Sequence, residues 1–464
     1  MTESPTSITP DGPTVLDGVS VLTLDHLDVF GYNAANSYVI PEIIDVDRFH
    51  GALAKTLVLF PLYATRASCA EDGRAPWTLV LPPKGIPVTV SVSDETQIVP
   101  VEAVVQKPLR FLPPLSPRKI VLDPTTPVAA ILLTKFPNLG VTSIGITRWH
   151  PIGSDYVASC FIRTLSKFYI GVPDDESVAP VYKAARSYLP APDRTCLEGI
   201  DTYAVETYYS ARSWHSQLDP SQPANVRLDF RLSATQTQQL RDAIHGLGGE
   251  NTSFLTAQDC IVSLIALATN AADLSNPPIH SIDTILDVRG TGDIPPTLGF
   301  NGFVFAPTDR VIAANADDYY AYALAVRQSI IRGRTPNFLA ALADLQAARA
   351  AEGTNRGEVM DLASPPGRML CNSTLRLDKV MRPDIHFGHP GKTKSYVGTV
   401  PFVRHLKLAR PNPRMNADGT WSSGLEDTEV TLYFQPLVRG RFIEEINGRL
   451  RALKVEGAAE WIGI

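Results

Sequence analysis

Apolar and polar positions along the chain switch between a period near 3.6 and a period of 2, and the switches mark its elements. Asp45–Phe60 carries Phe49, Leu53, Leu57 and Phe60 at helical spacing, with Asp45 or Asp47 placed to cap it and Pro61 to close it. Before it, Val19–Asp28 reads as strand or turn and Tyr38–Ile40 as a short apolar run. After it, strands are predicted over Tyr63–Ala67, Trp77–Leu81, Thr89–Val92, Ala129–Lys135 and Val141–Trp149. The last of these breaks at His150-Pro151-Ile152-Gly153 and resumes as a helix over Asp155–Tyr169. There Val157, Phe161, Leu165 and Phe168 share one face, and Ser154 or Asp155 can serve as N-cap.

A second set of elements begins at Val226. Val226–Leu232 alternates as a strand, and Ser233–Leu247 and Ala257–Ala271 read as helices. Ser281–Val288 is a strand, Ala316–Arg332 and Pro336–Ala351 are helices, and Leu370–Leu377, Ser395–Val403 and Thr428–Gln435 are strands before a last helix over Arg439–Leu453. Between the two sets, Pro173–Pro223 is rich in proline, serine and charge and has weak periodicity, as a crossover would. No internal repeat is visible. The pattern predicts an α/β chain in two similar-sized domains. Residues 1–15 are expected as a flexible tail, 16–185 as the first domain, 186–225 as the crossover linker and 226–464 as the second domain.

Composition narrows the functional classes. The chain has 464 residues, 44% apolar and 19% charged, enough for sizeable cores. Its 48 acidic and 42 basic residues give a net charge of -6, and no basic block points to nucleic acid. Cys69, Cys160, Cys196, Cys260 and Cys371 are odd in number and widely spaced, which argues against a disulfide framework or a zinc site and fits a reducing compartment, expected to be the cytoplasm. The polar, acidic N-terminus has no secretory pattern, and no apolar run is long enough to span a membrane.

The candidate chemistry lies at His150. A histidine between a strand and a helix is held by rigid elements on both sides, where a general base would be placed, although a core or turn histidine fits the same local pattern. With this order of elements, the chain resembles the BAHD family of CoA-dependent acyltransferases, more closely its fungal secondary-metabolism branch, which includes trichothecene O-acetyltransferases. The resemblance is carried by Leu24-Asp25, by Pro61–Arg66, by Asp287-Val288-Arg289 followed by Pro295-Pro296 and Gly299-Phe300-Asn301-Gly302, by His150 in an H-x-x-x-D-G-like motif, and by His386–Gly391 where the family has D-F-G-W-G. It implies two chloramphenicol-acetyltransferase-like domains, each a mixed sheet with flanking helices, meeting along a channel. It also implies acyl-CoA as co-substrate with no bound cofactor, a small-molecule acceptor, a monomer, and His150 as the base that takes the acceptor proton. In the family's Thr-Ser-Trp stretch stand Asn372-Ser373-Thr374, so Thr374 is a candidate donor to the tetrahedral oxyanion, or merely a channel-facing strand residue.

The departures set further expectations. The acid comes one position late, with Ser154 at the motif's Asp and Asp155 at its Gly. In the family that Asp pairs with an arginine, so Asp155 is expected to pair with Arg289, with helix capping as the simpler role. His386 and His389 invite a metal reading, but no third ligand lies nearby in sequence and no metal is expected. Lys392 and Lys394 are candidates for CoA phosphates or for a solvated loop. The alternatives to acyl transfer are a related shell repurposed for a cyclisation or isomerisation without CoA, and a non-catalytic binding protein.

Overall fold

The computed structural model describes residues 2–29, 32–70, 74–96, 111–173, 178–200, 202, 208–210, 225–249, 254–311, 318–360, 364–397, 403–416 and 418–462. The N-terminal half comprises β1 (Thr6–Ile8), β2 (Val21–Thr23), β3 (Asn33–Ile40), α1 (Val46–Leu59), β4 (Arg66–Ser68), β5 (Thr78–Val80), β6 (Ile86–Val92), α2 (Pro117–Leu122), β7 (Ala129–Phe136), β8 (Val141–Trp149) and α3 (Asp155–Tyr169). The C-terminal half comprises β9 (Tyr208–Ser210), β10 (Val226–Leu232), α4 (Ala234–Gly246), α5 (Ala257–Ala272), β11 (Ser281–Asp287), β12 (Phe303–Pro307), α6 (Tyr319–Gly333), α7 (Pro336–Asn355), β13 (Glu358–Met360), β14 (Arg368–Ser373), α8 (Leu375–Met381), β15 (Lys394–Val397), β16 (His405–Ala409), β17 (Arg414–Met415), β18 (Trp421–Ser422), β19 (Thr428–Phe434), α9 (Pro436–Ala452) and β20 (Glu460–Ile462).

Two mixed sheets organise these elements, in agreement with the expected fold class. The first has the order β1-β6-β7-β8-β3-β15, the second β12-β11-β14-β16-β19-β10-β20. In the first, β6 and β7 run parallel and the other neighbours antiparallel. In the second, β11, β14 and β16 run parallel and the outer pairs antiparallel. Each sheet has its own hydrophobic core. Phe49, Leu53 and Leu57 of α1 and Phe161 and Leu165 of α3 cover the first. The second is covered by α5, whose residues from Asp259 to Thr269 are all buried, as expected of a helix apolar on every side.

Four expectations change. Residues 6–8 are not tail: β1 pairs antiparallel with β6, Thr6 opposite Val88. A three-residue polar strand at a sheet edge has no periodicity to betray it. The boundary at residue 226 does not separate the sheets, because β15 crosses back to complete the first one beside β3, Tyr396 opposite Ser37. The stretch predicted as the strand Leu370–Leu377 ends at Ser373 and turns into α8. Within the predicted strand Tyr63–Ala67, Pro61–Ala64 form a single 3-10 turn, leaving only Arg66–Ser68 extended. The start of the crossover is packed: Tyr182 lies on the first core, while Tyr188, Leu189 and Leu197 lie on the second. Most of the expected linker beyond residue 200 lies outside the described residues.

Candidate active site

β8 is sandwiched between β7 and β3, and every residue from Thr142 to Trp149 is buried. Its middle is glycine for a reason of space: a Cβ on Gly145 would stand 1.8 Å from the Phe111 carbonyl oxygen. The Phe111–Leu115 stretch therefore closes directly onto the strand, and Thr147 Oγ1 donates to the Pro113 carbonyl at 2.9 Å. At the end of this strand the His150 N–H donates to the Tyr32 carbonyl at 2.9 Å, and one 3-10 turn (His150–Ile152) carries the chain to α3. His150 is thus mounted at the end of a buried internal strand and is itself half-buried, with Phe303 of the other half edge-on to its ring at 6.0 Å.

The surroundings of His150 set its charge. Burial, reinforced by the Arg148 cation, pushes its pKa down to about 4, with the Asp155 carboxylate the largest opposing influence. The imidazole is therefore neutral near pH 7, as a general base must be.

Asp155 does not pair with Arg289. Its Oδ1 accepts from Arg148 Nη2 at 3.0 Å and its Oδ2 from Lys407 Nζ at 3.2 Å. Burial alone would raise its pKa, but Lys407 and Arg148 outweigh burial and hold the carboxyl well below the usual carboxylate range. Arg148 comes from two residues before His150 and is fully buried, with Nη1 on Asn36 Oδ1 and Nε on the Gly153 carbonyl. Lys407 comes from β16 and also reaches Asn372 Oδ1 at 3.5 Å. The carboxylate so engaged does not cap α3, and the buried Ser154 hydroxyl at the N-cap position makes no capping bond either.

Arg289 has a different task. Its Nε donates to the Leu298 carbonyl at 2.7 Å and its Nη2 to the Phe300 carbonyl at 3.0 Å, with Nη1 on Asp287 at 3.1 Å. The same Phe300 carbonyl accepts from the Ser154 N–H at 3.1 Å. Arg289 therefore meets the start of α3 through the Phe300 turn and by lying over the Tyr156 ring at 4.6 Å, not through Asp155. Thr374 is buried, and its hydroxyl, which has one proton to give, faces two acceptors, Asp378 Oδ2 at 3.0 Å and the Leu408 carbonyl at 3.3 Å. It serves the start of α8 and is not free to serve an oxyanion.

The His386–Gly391 segment lies at the other end of α3. The His386 and Phe387 N–H groups donate to Ser166 Oγ at 3.1 and 2.8 Å, and His389 Nε2 lies 2.9 Å from Glu42 Oε2. His386 Nδ1 accepts from the Gly388 N–H. The two histidines thus have separate partners, and the segment clasps the second half onto α3. Ser166 is eleven residues beyond Asp155, about 16 Å along the helix. Lys392 is exposed beyond this clasp, and Lys394 opens β15. Sequence reading missed Arg148 and Lys407, and gave Asn301 no role beyond its motif. Arg148 left a signal, since a charge inside a buried strand needs a partner. Lys407 lay in a strand that was not predicted.

This architecture is that of the two-domain acyltransferases the motifs resemble. F. graminearum TRI101 complexed with coenzyme A and T-2 mycotoxin aligns over 96% of this chain and 100% of its own, with a TM-score of 0.70 at 15% identity. Vinorine synthase aligns over 95% and 96% with a TM-score of 0.63 at 15% identity, and the condensation domain of the monacolin K polyketide synthase MokA over 95% and 98% with 0.56 at 12%. At these identities the likeness establishes the fold. No protein-family model and no curated protein sequence matches the chain.

Proposed function

We propose that this protein transfers an acyl group, acetyl being the simplest, from acyl-CoA to a hydroxyl or amine of a small natural product. The observation that carries the reading is the His150 imidazole fixed at the end of β8, with Phe303 of the second sheet edge-on to it, in a fold shared with TRI101 complexed with coenzyme A. His150 takes the acceptor proton as the oxygen or nitrogen attacks the thioester carbonyl. The tetrahedral oxyanion then collapses, the C–S bond breaks, and the imidazolium returns the proton to the leaving CoA thiolate. Ester or amide and free CoA result, with no net change in protons. With Thr374 committed elsewhere, the Lys407 ammonium and the Asn372 amide are the donors on the second half's wall beside Asp155. Arg148, Lys407 and Asp155 keep the wall and the base in register, the kind of positioning that supplies much of such a rate.

The test is release of free thiol from acetyl-CoA with a panel of hydroxylated and amino acceptors. An active acceptor should lose at least about 10²-fold in kcat with His150→Ala. An undiminished rate in that variant removes the base from the scheme.

A further inference from the structure

β16 presents two different sides. Leu406 and Leu408 are fully buried in the core of the second sheet. His405 and Lys407 alternate with them, so they project from the opposite face. That face looks to the first half, since Lys407 Nζ reaches Asp155 Oδ2 at 3.2 Å. In the strand register His405 lies beside Leu370 of β14, and Leu370 packs with Phe305, Phe303 and Tyr32. Phe303 is the ring edge-on to His150, and the Tyr32 carbonyl accepts from the His150 N–H. His405 therefore stands in the wall that faces the candidate base, about 7 Å along the strand from Lys407. It is 6% exposed, and neither Nδ1 nor Nε2 has a hydrogen-bond partner among the described residues. Most buried polar side chains are bonded, and an unmet donor and acceptor cost stability.

We propose that His405 is a substrate-binding residue whose two ring nitrogens take neutral hydroxyl or amide groups of the bound ligand. This deepens the acyl-transfer reading above and rests on it for the ligands: a hydroxylated acceptor carries such groups, and so does the pantetheine arm of CoA. Burial, reinforced by the Lys407 cation, pushes the His405 pKa down to about 3, so the ring is neutral at pH 7. It then offers one N–H and one lone pair. A carboxylate could use only the first and an ammonium only the second, whereas hydroxyls and amides both give and take. His405 is a full strand repeat away from Lys407, so it holds the body of the ligand and not the reacting carbonyl.

Two measurements on the whole protein test this. In denaturant unfolding, His405→Leu should be at least as stable as the wild type, because the apolar side chain removes an unmet donor and acceptor. A clear loss of stability overturns the proposal, since the ring would then be bonded within the protein. In calorimetry with free CoA and with the hydroxylated acceptors of the panel, one of the two kinds of ligand should bind His405→Leu about tenfold more weakly than the wild type. His405→Gln, whose amide also gives and takes, should recover part of that loss. A loss confined to CoA assigns the ring to the pantetheine arm. A loss confined to an acceptor assigns it to an acceptor hydroxyl, and the analogue lacking that hydroxyl should bind both proteins alike. Unchanged affinity for every ligand that binds the wild type overturns the proposal. In the transfer assay the loss should fall in KM, with kcat little changed. Calorimetry needs no turnover, so a protein that binds through His405 but releases no thiol keeps this inference and loses the proposed activity. One that releases thiol with unchanged affinities keeps the activity and loses the inference.

Discussion

At the scale of the residue, the charge state of His150 is the property on which the chemistry turns. An ordinary histidine titrates near 6.5, but burial and Arg148 bring this one to about 4. The base works only when neutral, so it is competent at every pH above its own pKa. The profile of kcat/KM, which reports the free enzyme, should stay level from neutral pH down past 6.5 and fall only as pH approaches about 4. A midpoint near 6.5 would mean a ring hydrated like a surface histidine. His150 was legible because strand, break and helix lie in one continuous stretch. Its surroundings were not, because Phe303 comes to the ring and Lys407 to the neighbouring Asp155 from more than a hundred residues away, and nothing local in their segments says which ring or carboxylate they will meet.

At the scale of the element, the join between β8, α3 and β16 is a carboxylate held between two cations. Replacing one partner leaves buried charge uncompensated, so Asp155→Asn should destabilise the protein by about 3–5 kcal/mol in denaturant unfolding. A double-mutant cycle should find coupling between Asp155 and Lys407, and between Asp155 and Arg148, but little between Asp155 and Arg289. Strong coupling to Arg289 would restore the pairing that the motif resemblance implied. The same elements show what pattern can carry. β8 and α3 end at the residues expected, Trp149 and Tyr169, because one runs into the His150-Pro151 break and the other has a clean stripe between a turn and a glycine. β12 and β16 went unread. Each has only five residues, and in β16 the alternation of Leu406 and Leu408 with His405 and Lys407 imitates a loop. At Thr374 the strand reading ran through a helix start whose partner, Asp378, lies beyond the expected break.

At the scale of the whole molecule, the two halves are bound to each other at several places. β15 crosses into the first sheet, the stretch before residue 200 packs on both cores, the His386–Phe387 backbone clasps Ser166, and Lys407 reaches Asp155. A ligand held between the sheets would therefore bind only the assembled chain and stabilise both halves together. At 100 times its dissociation constant such a ligand adds about 2.7 kcal/mol. With an unfolding entropy near 2.1 cal/mol/K per residue, a chain of this length unfolding as one unit should gain about 3 °C in Tm. Free CoA and acetyl-CoA at millimolar concentration should both produce that shift, and His150→Ala should keep it, since the base is needed for transfer and not for holding the thioester. A shift in the wild type that is lost with His150→Ala would put the histidine in binding. No shift with either ligand, confirmed by calorimetry, would leave the fold without its expected co-substrate and turn the reading toward a shell that performs a cyclisation or isomerisation without CoA.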